Sequence, residues 1–164
     1  MIVVAPLHEL DQAFARWRPS HVVSLASPGA ELARLPDGVE TLRLTFHDIT
    51  EPRPGLSMAT DDDVRALLRF GLDWPAERPL LIHCWAGVSR SPAAAYVIAC
   101  ARNPTVNEAE PAARLREAAP FATPNRHLVA LADAALESGG AMTTAIAAIG
   151  RGAETSLGAS FVLT

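Results

Sequence analysis

The stretch Leu80-Leu81-Ile82-His83 constrains this chain more than any other. It follows a proline, is too short for a helix of ordinary length, and shows no alternation of apolar and polar residues. A strand with no polar face has no side to offer to water, so it belongs in the middle of a parallel sheet covered by helices above and below. The rest of the chain fits that reading. Apolar or β-branched runs predict further strands over 2–5, 21–26 and 39–46. Between and after them, helical spacing predicts helices over 7–17 (Leu10, Phe14 and Trp17 on one face), 30–35, 60–71, 90–102, 107–118 and 125–136. Thr60 is the expected N-cap of the helix at 60–71, with Asp63 closing a capping box. Strands alternating with helices predict an α/β fold: a single domain with a mostly parallel central sheet of four to five strands and helices on both faces. No internal repeat is present.

Residues 1–140 carry this pattern. Residues 141–164 add a short stripe, Met142, Ile146 and Ile149, and a glycine-rich tail ending in Phe161-Val162-Leu163. A free tail would leave these groups in water, so the segment is expected to pack on the 1–140 body or to form a homodimer contact, giving a monomer or a weak homodimer. At 164 residues the chain is long enough for one well-formed core. The net charge of −4 supplies no electrostatic reason for a nucleic-acid or anionic-membrane partner. All 14 basic residues are arginine, a bias of composition rather than a functional sign. No apolar segment reaches bilayer length, and the opening residues read as a strand rather than a signal peptide. Two cysteines are too few for a disulfide framework, so a reducing, cytoplasmic setting is expected.

The chemistry concentrates in His83-Cys84-Trp85-Ala86-Gly87-Val88-Ser89-Arg90-Ser91. A strand, a tight loop containing Gly87 and a helix beginning near Arg90 make a phosphate-binding loop. Inward backbone N–H groups and the positive end of the helix both favour an anion. The same field favours the anionic, nucleophilic form of Cys84. Arg90 offers a planar fork that matches two oxygens of a phosphate.

This stretch resembles the signature of the cysteine-based protein tyrosine phosphatases, His-Cys, five residues, then Arg and Ser or Thr, and is most similar to the dual-specificity branch. The resemblance extends over roughly 20–135, through "VVSL", "LRLTFHDIT" and "VNEAEPAARLREAAPFATPN". It implies Cys84 as nucleophile forming a cysteinyl phosphate, and Arg90 holding the equatorial oxygens. It implies the amides of Trp85, Ala86, Gly87, Val88, Ser89 and Arg90 as the phosphate cradle. Ser91 would donate to the sulfur, and His83 would orient the loop through hydrogen bonds. The mechanism needs no metal or cofactor. Trp85 is either core or pocket rim. Asn125 caps a helix or supports the loop bearing the acid, and capping alone is the preferred reading.

A leaving alkoxide or phenolate needs a proton. Asp48 is the preferred donor: it follows a strand, opens the polar loop 47–59 and lies at the family's usual separation from Cys84. Asp61, Asp62 and Asp63 compete, but capping and dipole stabilisation at a helix start account for them. His47 reads as a solvated loop residue that could contact substrate, and His8, His21 and His127 as structural. Cys100 lies about 15 Å along the helix from its start, too far to pair with Cys84. The implied function is hydrolysis of phosphotyrosine, with phosphoserine and phosphothreonine as further candidates, on a phosphorylated protein or a small phosphomonoester. Competing readings are a phosphoinositide or RNA 5′-phosphate phosphatase, a rhodanese-like sulfurtransferase, and a catalytically weak phosphoprotein-binding module.

Overall fold

A computed structural model describes residues 1–31 and 34–164. Five strands form one sheet: β1 (Ile2–Pro6), β2 (His21–Ala26), β3 (Glu40–Thr45), β4 (Leu80–Cys84) and β5 (Phe161–Leu163), in the order β3-β2-β4-β1-β5. The first four run parallel, and β5 pairs antiparallel with β1 at one edge. β4 lies in the centre with all five residues buried, as its unbroken apolar character requires.

Among the described residues six α-helices complete the fold: α1 (Leu10–Trp17), α2 (Asp61–Asp73), α3 (Arg90–Arg102), α4 (Ala109–Ala118), α5 (Arg126–Ala135) and α6 (Ala141–Ala148). The expected helix over 7–17 begins with a 3-10 turn, Leu7–Glu9. The expected helix over 30–35 includes residues 32 and 33, which lie outside the described residues.

The sheet divides the core. Val3, Ala5, Val22 and Leu81 face α1 with Leu10 and Ala13. Ile2, Val4, Val23, Leu25, Leu80 and Ile82 face the other helices. α3 is the centre of that larger side: Ala93 through Ile98 are fully buried, so the helix is apolar all round rather than amphipathic. Its small residues let the sheet and α2 approach closely. A Cβ on Gly71 of α2 would stand 2.7 Å from Ile98.

The last 24 residues are part of this architecture. Met142 and Ile146 of α6 are buried in the main core, and Tyr96 donates its hydroxyl hydrogen bond to Glu108 O (3.1 Å) and to Met142 O (3.4 Å). Phe161 and Leu163 of β5 enter the same core.

Candidate active site

Parallel strands bring their carboxyl ends to one edge of the sheet, where connecting loops surround a common crevice. Here β1, β2, β3 and β4 deliver Leu7, Ser27, Asp48 and Cys84 to that edge. A cavity of about 720 Å³ opens among them, with Arg90 and Trp85 also in its wall.

Four carbonyls of the turn between β4 and α3 are tied to neighbouring segments. Trp85 O accepts from Leu7 N–H (3.1 Å), Ala86 O from Gly158 N–H (2.8 Å), Val88 O from Thr123 N–H (2.8 Å) and Ser89 O from Asn125 N–H (3.2 Å). In a trans peptide the N–H points opposite to its own C=O. The N–H groups of Ala86, Gly87, Ser89 and Arg90 are therefore turned away from those partners, toward the inside of the loop. Gly87 N–H reaches Cys84 Sγ at 3.3 Å. Gly87 itself is dictated twice over: its φ is +69°, and a Cβ there would lie 2.9 Å from Pro6 N.

Cys84 is buried, and a 3.0 Å hydrogen bond links its sulfur to Ser91 Oγ in the first turn of α3. Arg90 is only 5% exposed. Its Nη1 donates to Phe46 O (2.8 Å) and Ser27 Oγ (3.2 Å), which fixes the guanidinium plane. Its buried Nε has no hydrogen-bond partner among the described residues and lies 3.9 Å from Asp48 Oδ2. A buried guanidinium N–H without an acceptor is costly unless an anion comes to it.

Asp48 is held by its other oxygen, which accepts from Ser89 Oγ (2.7 Å) and Asn125 Nδ2 (2.8 Å). Its Oδ2 is thereby left facing Arg90. Asn125 performs both of the tasks considered for it, because its Oδ1 also accepts from Leu128 N–H (3.0 Å) and caps α5. Capping alone is thus corrected to capping together with support of Asp48. An amide has a donor end and an acceptor end, so one side chain serves both. The competing aspartates stay at the start of α2. Asp63 closes the capping box with Thr60, Asp62 pairs with Arg65 at 2.8 Å, and none of the three lines the cavity.

No protein-family model matches the sequence, and no curated protein matches it. Solved structures do. The phosphatase domain of Yvh1 from Chaetomium thermophilum superposes with a TM-score of 0.58 at 20% identity, covering 86% of this chain and 93% of that one. A human DUSP28 variant gives 0.64 at 19% identity, with coverages of 84% and 92%. PTPMT1 gives 0.61 at 18% identity, with coverages of 90% and 94%. The fold is that of the cysteine-based protein tyrosine phosphatases.

Within the phosphatase fold the remaining expected residues divide. Trp85 stands at the cavity rim, 69% exposed, rather than in the core. His83 differs from expectation. Both its ring nitrogens are buried without a hydrogen-bond partner among the described residues, so it does not orient the loop by hydrogen bonding. It sits on β4 opposite Ser24 of β2, in the cavity floor. Burial, and secondarily the charge of Arg43, push its pKa down to about 4, so the ring is neutral near pH 7. His47 is not among the residues that line the cavity; its Nδ1 accepts from Ser57 N–H at 3.0 Å and braces the loop. Both cysteines are free, and burial pushes the Cys100 thiol up to about 11.

Sequence reasoning missed Ser27, the carbonyl of Phe46 and Gly158. Ser27 and Gly158 lie outside any local motif, and a backbone carbonyl leaves no signal in a sequence. Only the position of Pro28-Gly29 after β2 hints that Ser27 follows a strand at the site edge.

Proposed function

We propose that this protein is a phosphomonoesterase that works through a cysteinyl-phosphate intermediate at Cys84. The observation that carries the reading is the convergence on one cavity of a buried sulfur, a ring of inward N–H groups, and the unsatisfied Nε of Arg90. A dianionic phosphoryl group supplies the acceptors that this arrangement lacks.

In the first step the Cys84 thiolate attacks phosphorus, the S–P bond forms and the P–O bond to the leaving group breaks. Asp48, as the carboxylic acid, gives its proton to the departing oxygen. Arg90 and the loop amides stabilise the charge on the equatorial oxygens. In the second step water attacks phosphorus, Asp48 as carboxylate takes the water proton, and the S–P bond breaks. Ser91 Oγ, already 3.0 Å from the sulfur, donates to it as it leaves. Asp48 is set for this role by Ser89 and Asn125, which aim its free oxygen at the cavity.

The cavity wall supports an aryl phosphate, as in phosphotyrosine, as the preferred ester. Leu7, Leu25, Ala26, Ala30 and Trp85 give it an apolar side, and among the described residues Arg34 is the one cation besides Arg90 that lines it. PTPMT1, which shares the fold, has been crystallised with PI(5)P, so an inositol phosphate is the second candidate. The test is turnover of a phosphotyrosine peptide, a phosphoserine peptide and PI(5)P by the parent and by Cys84→Ser. Hydrolysis of the phosphotyrosine peptide is expected, with complete loss in the variant and retained binding of orthovanadate. Undiminished turnover in Cys84→Ser removes the sulfur from the mechanism. Preference for PI(5)P replaces the aryl reading with the inositol one.

A further inference from the structure

Three of the four tied carbonyls of the phosphate loop are held by segments near the sheet edge and the start of α5. The fourth, Ala86 O, is held by the C-terminal tail through Gly158 N–H at 2.8 Å. The peptide that carries Ala86 O also carries Gly87 N–H, the donor that reaches Cys84 Sγ at 3.3 Å. The tail hydrogen bond and the sulfur hydrogen bond are thus the two ends of one rigid plane.

The tail is built to hold that position. Between α6 and β5 it has no regular structure, yet it is anchored on both sides of Gly158. Upstream, Gly152 N–H donates to Thr123 Oγ1 (3.1 Å) and Ala153 N–H to Pro120 O (2.9 Å). Arg116 ties the same two segments together, donating to Gly150 O (2.9 Å) on the tail and to Pro120 O (2.7 Å) and Ala122 O (2.9 Å) on the loop. Downstream, Ser160 N–H donates to Glu9 Oε2 at 2.8 Å, and Phe161 then enters the sheet beside Val4. Gly158 must lack a side chain, since a Cβ would come within 2.5 Å of the Phe121 ring and 3.2 Å of Ala86 O.

We propose that the segment 150–160 is a strap for the phosphate loop and that Gly158 is a positioning residue for the nucleophile, acting through the Ala86–Gly87 peptide on Cys84. The proposal rests on the hydrolase reading for its functional meaning, but its geometry does not. A donor to Ala86 O polarises the whole peptide and strengthens the N–H at the other end. Release of the strap lets the plane rotate and removes a donor from the sulfur, which weakens the anionic form.

The test is the rate of Cys84 alkylation by iodoacetamide at neutral pH, read by peptide mass mapping, in the parent and in Gly158→Ala. Cys100 serves as internal control, since its buried thiol stays protonated there. Alkylation of Cys84 is expected to slow about three- to tenfold, the scale of one lost hydrogen bond, with Cys100 unlabelled in both proteins. General loosening would instead expose both thiols and speed labelling. Labelling of Cys84 at the parent rate or faster in a folded variant overturns the proposal. If Gly158→Ala does not fold, Glu9→Ala carries the same test, because it removes the acceptor that holds Ser160 and leaves Gly158 intact. A parent that hydrolyses no phosphate ester defeats the proposed function alone, since the alkylation comparison needs no substrate.

Discussion

Asp48 and Asp63 are the same side chain, and their surroundings give them different work. Asp63 accepts from the N–H and hydroxyl of Thr60 and is spent on its own helix. Asp48 has one oxygen occupied by Ser89 and Asn125 and the other turned to the cavity beside Arg90. An acid matters only for a leaving group that cannot depart alone. Asp48→Asn is therefore expected to slow the burst phase about 10²- to 10⁴-fold for alkyl or unactivated aryl phosphates, and far less for a strongly activated aryl ester. Asp63→Asn is expected to keep the parent's leaving-group dependence and to lose about 1 kcal/mol of stability with the cap. Rapid-quench rates across a leaving-group series separate the two. A steeper dependence in Asp63→Asn, with none in Asp48→Asn, reverses the assignment.

Among the elements, the contact of α2 with α3 determines how well the loop is supported, because α3 begins at Arg90. That contact depends on Gly71, against which Ile98 packs at a distance no Cβ tolerates. Both sides are buried, so a methyl group has no void to enter. Gly71→Ala gains about 1 kcal/mol in helix propensity and costs about 1–3 kcal/mol in overpacking. The expected result is a net loss, measured as a lower urea midpoint. Ile98→Val in the same chain is expected to recover part of it. A midpoint at or above that of the parent shows that α2 shifts freely, and the coupling of its packing to the loop fails.

For the whole molecule, pH reports how the buried histidine is accommodated. His83 has a pKa of about 4 when folded, against about 6.5 for an unfolded histidine. Above pH 6.5 neither state is protonated and the neutral ring costs nothing extra. Between pH 6.5 and 4 the unfolded chain binds a proton that the folded chain refuses, so stability falls as pH falls, by about 3 kcal/mol in all. Glu9 acts in a lower window: hydrogen bonding from Ser160 holds its carboxyl below the usual carboxylate range, so its contribution fades only below about pH 4.5. Denaturant melts at pH 7.5, 6, 5 and 4.5 are expected to show the decline beginning near pH 6.5. His83→Asn is expected to flatten it. An unchanged slope in that variant places the proton uptake elsewhere.

The alternation of apolar runs with helical spacing was enough to define the α/β class, the central place of β4 and the boundaries of α3, because burial on both faces writes itself into contiguous residues. The sequence from His83 to Ser91 was enough to bring Cys84, Gly87 and Arg90 together, because nine consecutive residues cannot separate by much. Tertiary structure alone decided everything that depends on distant segments meeting. Asn125 divides its amide between α5 and Asp48, residues 77 apart in sequence. His83 is flanked in the sheet by Ala5 and Ser24, with Arg43 one strand further on, and neither ring nitrogen has a hydrogen-bond partner among the described residues. Two glycines of the tail, which look like those of a loose extension, are required by packing: Phe121 and Ala122 leave no room for a side chain at Gly152, and Phe121 and Ala86 leave none at Gly158. A one-dimensional pattern records which residues avoid water; it does not record which hydrogen-bond donors find the same acceptor once the chain has closed on itself.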